Sequence, residues 1–271
     1  MATILFFAKT SLESFALTEY YSQDIIALQN IGHKVIVTNK IQDALFKSYD
    51  VIFIWWWTYA LLPIVFSILR QKKSIITGTF NFRFTHSGIG QDYVSRPLWE
   101  RSVIYLAAKL ADYNLFANQK EYRFCRSILK IKNSRHFPHI ILPEYVSESG
   151  ALEKNLLFNL SWSGKKNIYR KGILDIIDAV KIVLDSGLKL NLVLAGEKGD
   201  GFSIIEDKIR SLKLEESVVL AGEISKEEKL KLLKKCALYL QPSFYEGFGV
   251  AIGEAMASRC CIITCRVGGV P

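Results

Sequence analysis

Pro242-Ser243-Phe244-Tyr245-Glu246-Gly247-Phe248-Gly249-Val250-Ala251-Ile252-Gly253-Glu254-Ala255-Met256-Ala257 is the stretch around which the chain is organised. A strand-like run, Ala237–Leu240, leads into a turn with two glycines, and the residues that follow read as a helix whose first turns carry no charge except Glu254. Strand, glycine turn and helix in that order present a ligand at the carboxyl end of a sheet strand. Gly247 and Gly249 let backbone approach a ligand and leave N–H groups free at the helix start. There the helix dipole favours an anion by roughly 0.3–1 kcal/mol, or about 2 kcal/mol in a partly buried site. Glu246 and Glu254 stand about two helical turns apart, so they can grip hydroxyls at opposite ends of one elongated ligand. Each such bond is worth on the order of 1.5–3 kcal/mol. A sugar nucleotide, with hydroxyls on either side of a diphosphate, has that shape.

Working outward, strands and helices alternate along both halves of the chain. The first half predicts strands at Ile4–Ala8, Lys34–Thr38, Val51–Trp55, Ser74–Thr77, Tyr113–Ala117 and His136–Ile140, with helices around Leu17–Asn30, Leu62–Arg70, Trp99–Leu110 and Tyr122–Ile131. A polar stretch, Glu144–Gly150, breaks the pattern and reads as a linker. Alternation restarts with strands at Leu156–Ser161, Leu190–Ala195, Ser217–Ala221, Ala237–Leu240 and Cys261–Thr264, and helices near Ile173–Ser186, Ile204–Leu212, Lys226–Lys235 and Val250–Ser258. The expected fold class is α/β: two Rossmann-like, doubly wound domains, 1–148 and 149–271, facing each other across a cleft.

The 271 residues, half of them hydrophobic, suit two domains of ordinary size. Five cysteines with no C-x2-C pair argue for reduced structural thiols in a cytosol rather than a disulfide framework. The N-terminus lacks a basic n-region and reads as a first buried strand, not a signal peptide. A formal net charge of +9 favours anionic partners, whether nucleotide diphosphates, acidic lipid headgroups or nucleic acid, without choosing among them. Val51–Leu69 runs without a charge and includes Trp55-Trp56-Trp57, near the length of a membrane span. Pro63 and the Thr58-Tyr59 interruption favour a buried strand followed by a helix, with membrane-surface contact through the tryptophans as the other reading. Arg123, Arg126 and Lys130 share one helical face, either a solvated surface or an anionic-membrane patch. Nucleic acid is not expected, since no recognisable binding motif accompanies these charges.

Gly164–Gly172 reads as a basic loop (Lys165, Lys166, Arg170, Lys171) at the carboxyl end of a strand, on the same edge as Glu246–Gly249. Its cations would neutralise a diphosphate. Gly222-Glu223-Ile224 ends another strand on that edge. His33, His136 and His139 read as structural, while His86 lies in a polar loop that either faces a ligand or is merely exposed. No His, Cys and carboxylate grouping has metal-ligand spacing, and neither G-x-S-x-G nor G-x4-G-K-[ST] is present.

Pro242-Ser243, Glu246-Gly247-Phe248-Gly249, Glu254-Ala255-Met256-Ala257 and Gly268-Gly269-Val270-Pro271 together resemble the retaining GT-B glycosyltransferases of family four, the group-one glycosyl transferases. The resemblance covers most of residues 156–271 and, more loosely, the first half. It implies that Glu246 contacts the donor sugar beside the reacting carbon. The Gly247–Val250 turn, with the backbone of Phe248, Gly249 and Val250, would hold sugar and diphosphate. Glu254 would bind the nucleotide ribose, Lys171 beside Arg170 the phosphate, and Ile224 the base. It also implies transfer of a sugar with retention, a nucleotide-diphosphate sugar as substrate, and neither metal nor cofactor.

Departures from the family pattern accompany the likeness. Ser161-Trp162-Ser163 stands where a phosphate arginine is usual, so Lys165, Lys166 or Arg170 must substitute. Lys9-Thr10-Ser11 replaces a Gly-Gly pair, and Asn81, after Thr79-Phe80, stands where many members have a histidine; Asn81 and His86 are the acceptor-side candidates. Ser258-Arg259-Cys260-Cys261 replaces a Gly-x-Pro. The chain stops at Pro271 where the family continues for roughly 80 residues, so a fragment with weak stability is expected. The function expected is sugar transfer to a glycan or lipid-linked acceptor, as in surface-polysaccharide assembly, in the cytoplasm or peripherally on the inner membrane face. Alternatives are a non-catalytic nucleotide-sugar-binding or scaffold fragment and a GT-B nucleotide-sugar isomerase.

Overall fold

Runs of β-branched and aromatic residues form the first sheet: β1 (Thr3–Ala8), β2 (Lys34–Thr38), β3 (Val51–Trp55), β4 (Lys73–Thr77), β5 (Tyr113–Phe116) and β6 (Ser134–His136). In the computed structural model, which describes residues 1–82, 92–146 and 152–270, these strands are parallel and ordered β2-β1-β3-β4-β5-β6. Side chains alternate between two buried faces. Leu5, Phe7, Ile52, Ile54 and Ile76 pack under the helices Leu61–Leu69 and Leu98–Leu110, which contribute Ile64, Ile104, Ala107 and Ala108. On the other face Ile4, Phe6, Phe53 and Trp55 pack with Phe15 and Tyr21.

The Val51–Leu69 segment is therefore internal. It forms β3, a short 3-10 turn at Trp57–Tyr59 and the helix Leu61–Leu69, whose Pro63 lies in the first turn, where no backbone hydrogen bond is lost. Trp55 and Trp57 are only 1% and 3% exposed. Their indole N–H groups donate to Asp24 Oδ2 at 3.1 Å and Asn114 Oδ1 at 2.8 Å, and that of Trp56 donates to Tyr21 Oη at 2.6 Å. This overturns membrane contact through the tryptophan triplet. Among the described residues no helix is long and apolar enough to cross a membrane.

The last strand expected in this half, His136–Ile140, is also corrected: β6 ends at His136. Pro138 lacks a backbone donor and restrains Phe137, so pairing stops there. His139 instead stacks on Trp55, with ring centroids 5.1 Å apart, and burial pulls its pKa down to about 4.

The second sheet comprises β7 (Glu153–Leu160), β8 (Asn191–Ala195), β9 (Val218–Gly222), β10 (Cys236–Gln241) and β11 (Cys261–Thr264), parallel and ordered β11-β10-β7-β8-β9. Its core packs Ile173, Ile176, Ile177 and Val180 of the helix Ile173–Asp185 against Leu192, Leu194, Ile205 and Ile209. The helix Lys226–Lys235 starts with a capping box between Ser225 and Glu228. Strand order reverses at β7, so the carboxyl ends of β7 and β10 lie side by side at a topological switch point, the place where open α/β sheets bind ligands.

The two compact units divide between Ile140 and Ile141. Glu144 and Tyr145, read from the sequence as linker, belong to the second unit. Tyr145 is fully buried and its carbonyl accepts from Ser258 Oγ at 3.2 Å, so an aromatic anchor sits inside a polar stretch.

Buried Asn114 ties β5 to its surroundings, accepting from Trp57 and donating to the Ala108 carbonyl at 2.8 Å. Asn114→Ala strands both partners and should cost about 2–4 kcal/mol, measurable as a lower urea midpoint.

Candidate functional site

At the end of β7 the chain turns through Ser161–Gly164 and enters a short helix, Lys165–Arg170. The sequence led to a basic loop here. The helix forms because Asn167 closes it from both ends, donating to the Trp162 carbonyl and accepting from Arg170 at 2.5 and 3.2 Å. Lys165 and Lys166 are exposed. Gly172, at φ +67°, ends the segment, and a side-chain carbon there would stand 2.6 Å from the Pro242 carbonyl oxygen. That close approach brings the helix end against the turn after β10, where Phe244 N–H donates to the Arg170 carbonyl at 2.8 Å.

The turn positions Glu246, which is 4% exposed. Its Oε1 accepts from Lys171 Nζ at 2.5 Å, Gln241 Nε2 at 2.7 Å and Ser243 Oγ at 2.7 Å. Its Oε2 makes no hydrogen bond among the described residues and lies 3.7 Å from Arg170 Nη1. Burial pushes the Glu246 carboxyl up, but the Lys171 and Arg170 cations and the hydrogen-bond donors outweigh it and hold the carboxyl below its ordinary value. Burial lowers Lys171 from its ordinary value while Glu246 opposes that shift. The ionised carboxylate is the better-founded state, since three donors converge on one oxygen. One oxygen thus takes three hydrogen bonds while the other pairs with Arg170 alone.

Behind Glu246, Gln241 accepts from the wholly buried Tyr239 hydroxyl at 2.7 Å. In front, Gly268 and Gly269 lie against the Glu246 and Gly247 carbonyls so closely that any side chain would collide, and Gly269 N–H donates to Glu246 O at 3.1 Å. Gly249, at φ +85°, opens the helix Val250–Ala257. Gly247 is buried, and Phe248 and Val250 are half-buried beside it.

Glu254, two turns on, is 1% exposed. Lys229 Nζ lies 3.3 Å from both of its oxygens and 4.8 Å from the Tyr145 ring centroid. Ile224 is half-buried between β9 and the cap of the helix Lys226–Lys235. Most of the Arg170 guanidinium is committed, to Asn167 and to the Tyr245 carbonyl at 2.9 Å. Asn81 lies in the first unit, where its backbone N–H donates to Glu121 Oε1 at 2.7 Å. His86 lies outside the described residues. Among those residues no grouping of His, Cys, Asp and Glu could hold a metal ion.

Sequence reading did not find Lys229, Gln241, Ser243 or Ser161. The helical period placed Lys229 among the five lysines of Lys226–Lys235, without a signal to single it out. Ser161 Oγ is buried at the carboxyl end of β7 with no hydrogen-bond partner among the described residues, where a ligand hydroxyl or phosphate oxygen would satisfy it.

Comparisons with known proteins bear on the fold. Two Rossmann-like α/β units define the GT-B fold, and solved GT-B structures superpose on the chain. Sucrose-phosphate synthase from Thermosynechococcus elongatus does so with a TM-score of 0.74 at 16% identity, over 100% of this chain and 82% of that one. Anabaena Alr3699/HepE, in complex with UDP and glucose, gives 0.73 at 14% identity over 99% and 82%. Residues 163–271, most of the second unit, match the family model of the glycosyl transferases group 1. An uncharacterised glycosyltransferase, MJ1607, of Methanocaldococcus jannaschii is 34% identical over 102 residues, 38% of this chain and 26% of the relative. The phosphatidylinositol N-acetylglucosaminyltransferase gpi3 subunit of Schizosaccharomyces pombe is 25% identical over 153 residues, 56% and 33%. The chain thus spans between about a quarter and a third of these relatives' length.

A carboxyl whose pKa is depressed by folding adds stability above its unfolded value, near 4.5, and loses it as pH falls through the folded value. Urea unfolding should show a weaker acid dependence in Glu246→Gln than in the native chain across that window.

Proposed function

We propose that the chain works as a retaining, metal-independent glycosyltransferase, moving a sugar from a nucleotide-diphosphate donor to a glycan or lipid-linked acceptor. The observation that carries this is the anchored Glu246 carboxylate in a glycine turn at the switch point of the sheet, within the region that matches the group 1 family model. Glu246 contacts the donor sugar beside the reacting carbon. The backbone of Phe248–Val250 holds sugar and diphosphate at the helix start, where the dipole opposes the negative charge of the leaving group. Lys171, with Arg170 behind it, adds cationic stabilisation. Glu254, paired with Lys229, accepts hydrogen bonds from the ribose hydroxyls, and Ile224 packs the base.

A nucleotide-diphosphate donor is supported by solved relatives of the same fold described with UDP and with UDP-glucose. A lipid-linked acceptor is supported by the similarity of the chain to yeast and human phosphatidylinositol N-acetylglucosaminyltransferase subunits. Work on a lipid-linked acceptor, as in surface-polysaccharide assembly, would place the chain in the cytoplasm or against the inner face of a membrane.

A panel of uridine and guanosine diphosphate sugars, assayed for transfer and for binding by calorimetry, tests the reading. Glu246→Gln should lower transfer about 100-fold or more while nucleotide binding stays within about twofold, and full activity in that variant would overturn the assignment. Glu254→Gln should instead weaken nucleotide binding about tenfold.

A further inference from the structure

The first unit carries an outer surface that its own core does not use. The helices Leu61–Leu69, Leu98–Leu110 and Gln119–Ser127 follow β3, β4 and β5, whose order steps in one direction across the sheet. Right-handed crossovers therefore lay all three on one face, and Ile64, Ile104 and Cys125 meet in one core cluster. The helix Leu98–Leu110 turns Ile104, Ala107 and Ala108 to that core. On its opposite side Leu98, Trp99, Leu106 and Leu110 form a stripe about 120° wide, with Leu98 76% and Trp99 69% exposed. Leu62 and Leu69 of the neighbouring helix are exposed as well. An apolar stripe of this kind, on a helix already buried on its other side, marks an interaction surface.

Charge selects the partner. Lys109 Nζ donates to the Lys130 carbonyl at 2.6 Å, which joins the end of the apolar helix to the segment after the helix Gln119–Ser127. There Arg123, Arg126 and Lys130 are all exposed. The carboxylates of the two helices do not offset them: Glu100 is ion-paired with Arg96, and Glu121 is buried, accepting the Phe80 and Asn81 N–H groups. Exposed apolar side chains bordered by unneutralised cations match a bilayer interface with anionic headgroups, apolar groups entering the acyl boundary and cations staying at phosphate depth. The same positive charge opposes docking against a second copy of the chain.

We propose that the outer face formed by Leu98, Trp99, Leu106 and Leu110 with Arg123 and Arg126 docks on an anionic phospholipid surface. Docking here deepens, and rests on, the lipid-linked acceptor reading for its purpose. Its test needs no donor, so failure of the face and failure of the transferase assignment are separate results.

Flotation of the full chain with phosphatidylcholine vesicles, with and without phosphatidylglycerol, measures it. Recovery with vesicles should require phosphatidylglycerol and fall as salt rises. Arg123→Gln with Arg126→Gln should weaken partitioning about thirtyfold, and Leu98→Ser with Trp99→Ser about tenfold or more. Both pairs should leave the thermal midpoint unchanged, since these side chains are exposed. Undiminished flotation of either pair overturns the proposal. So does a native chain that ignores both vesicle types and elutes as a dimer dissolved by Leu98→Ser with Trp99→Ser.

Discussion

A carboxylate taken out of water costs several kcal/mol unless partners replace its hydration, and the turn after β10 is arranged around meeting that requirement at Glu246. Gln241 comes from the end of the strand, Ser243 from the turn, and Lys171 from a helix end 75 residues earlier in the chain. All three reach one oxygen. The arrangement needs β7 and β10 to be neighbours with their carboxyl ends on one edge, which the β11-β10-β7-β8-β9 order provides. Glycines let the remaining backbone close in: Gly172 against Pro242 on one side, Gly268 and Gly269 against Glu246 and Gly247 on the other. The turn is held from both flanks while Oε2 keeps only its ion pair with Arg170.

The same solution recurs at Glu254, where Lys229 faces both carboxylate oxygens and rests over the Tyr145 ring. Two buried acidic groups on one segment are each matched by a cation from another element. The pairs stiffen the edge on which a ligand would sit, because moving either carboxylate would strand a buried positive charge. Tyr145 links this pair to the short turn at Pro143–Tyr145, so the start of the second unit is tied to the helix carrying Glu254 through Ser258 as well.

In the first unit, the tryptophans show how one residue type serves opposite purposes. Trp55 and Trp57 lie inside with their N–H groups paired, whereas Trp99 lies outside on a helix whose other face is already packed. Hydropathy along the chain cannot separate these cases, since it measures what a side chain prefers and not which side of a sheet the helix crosses. The Arg123–Arg126 stripe was legible as a helical face from its spacing alone. Its apolar neighbour was not, because Leu98, Trp99, Leu106 and Leu110 gain meaning only once Ile104, Ala107 and Ala108 claim the core.

The alternation of strand and helix, the glycine turn and the spacing of Glu246 and Glu254 are local or short-range properties. The sequence by itself determined the α/β class, nearly every strand and the stretch that forms the glycine turn holding Glu246. It misread Gly164–Gly172, where the helix depends on side-chain bonds from Asn167, and it could not choose Lys229 among neighbouring lysines. Only the tertiary structure decided which cation meets which carboxylate, that Arg170 braces Asn167 and Tyr245, and which tryptophans are buried. The physical reason is that burial and the long-range ion pairs depend on elements brought together by strand order, so no short stretch of sequence contains both Lys171 and Glu246 or both Lys229 and Glu254.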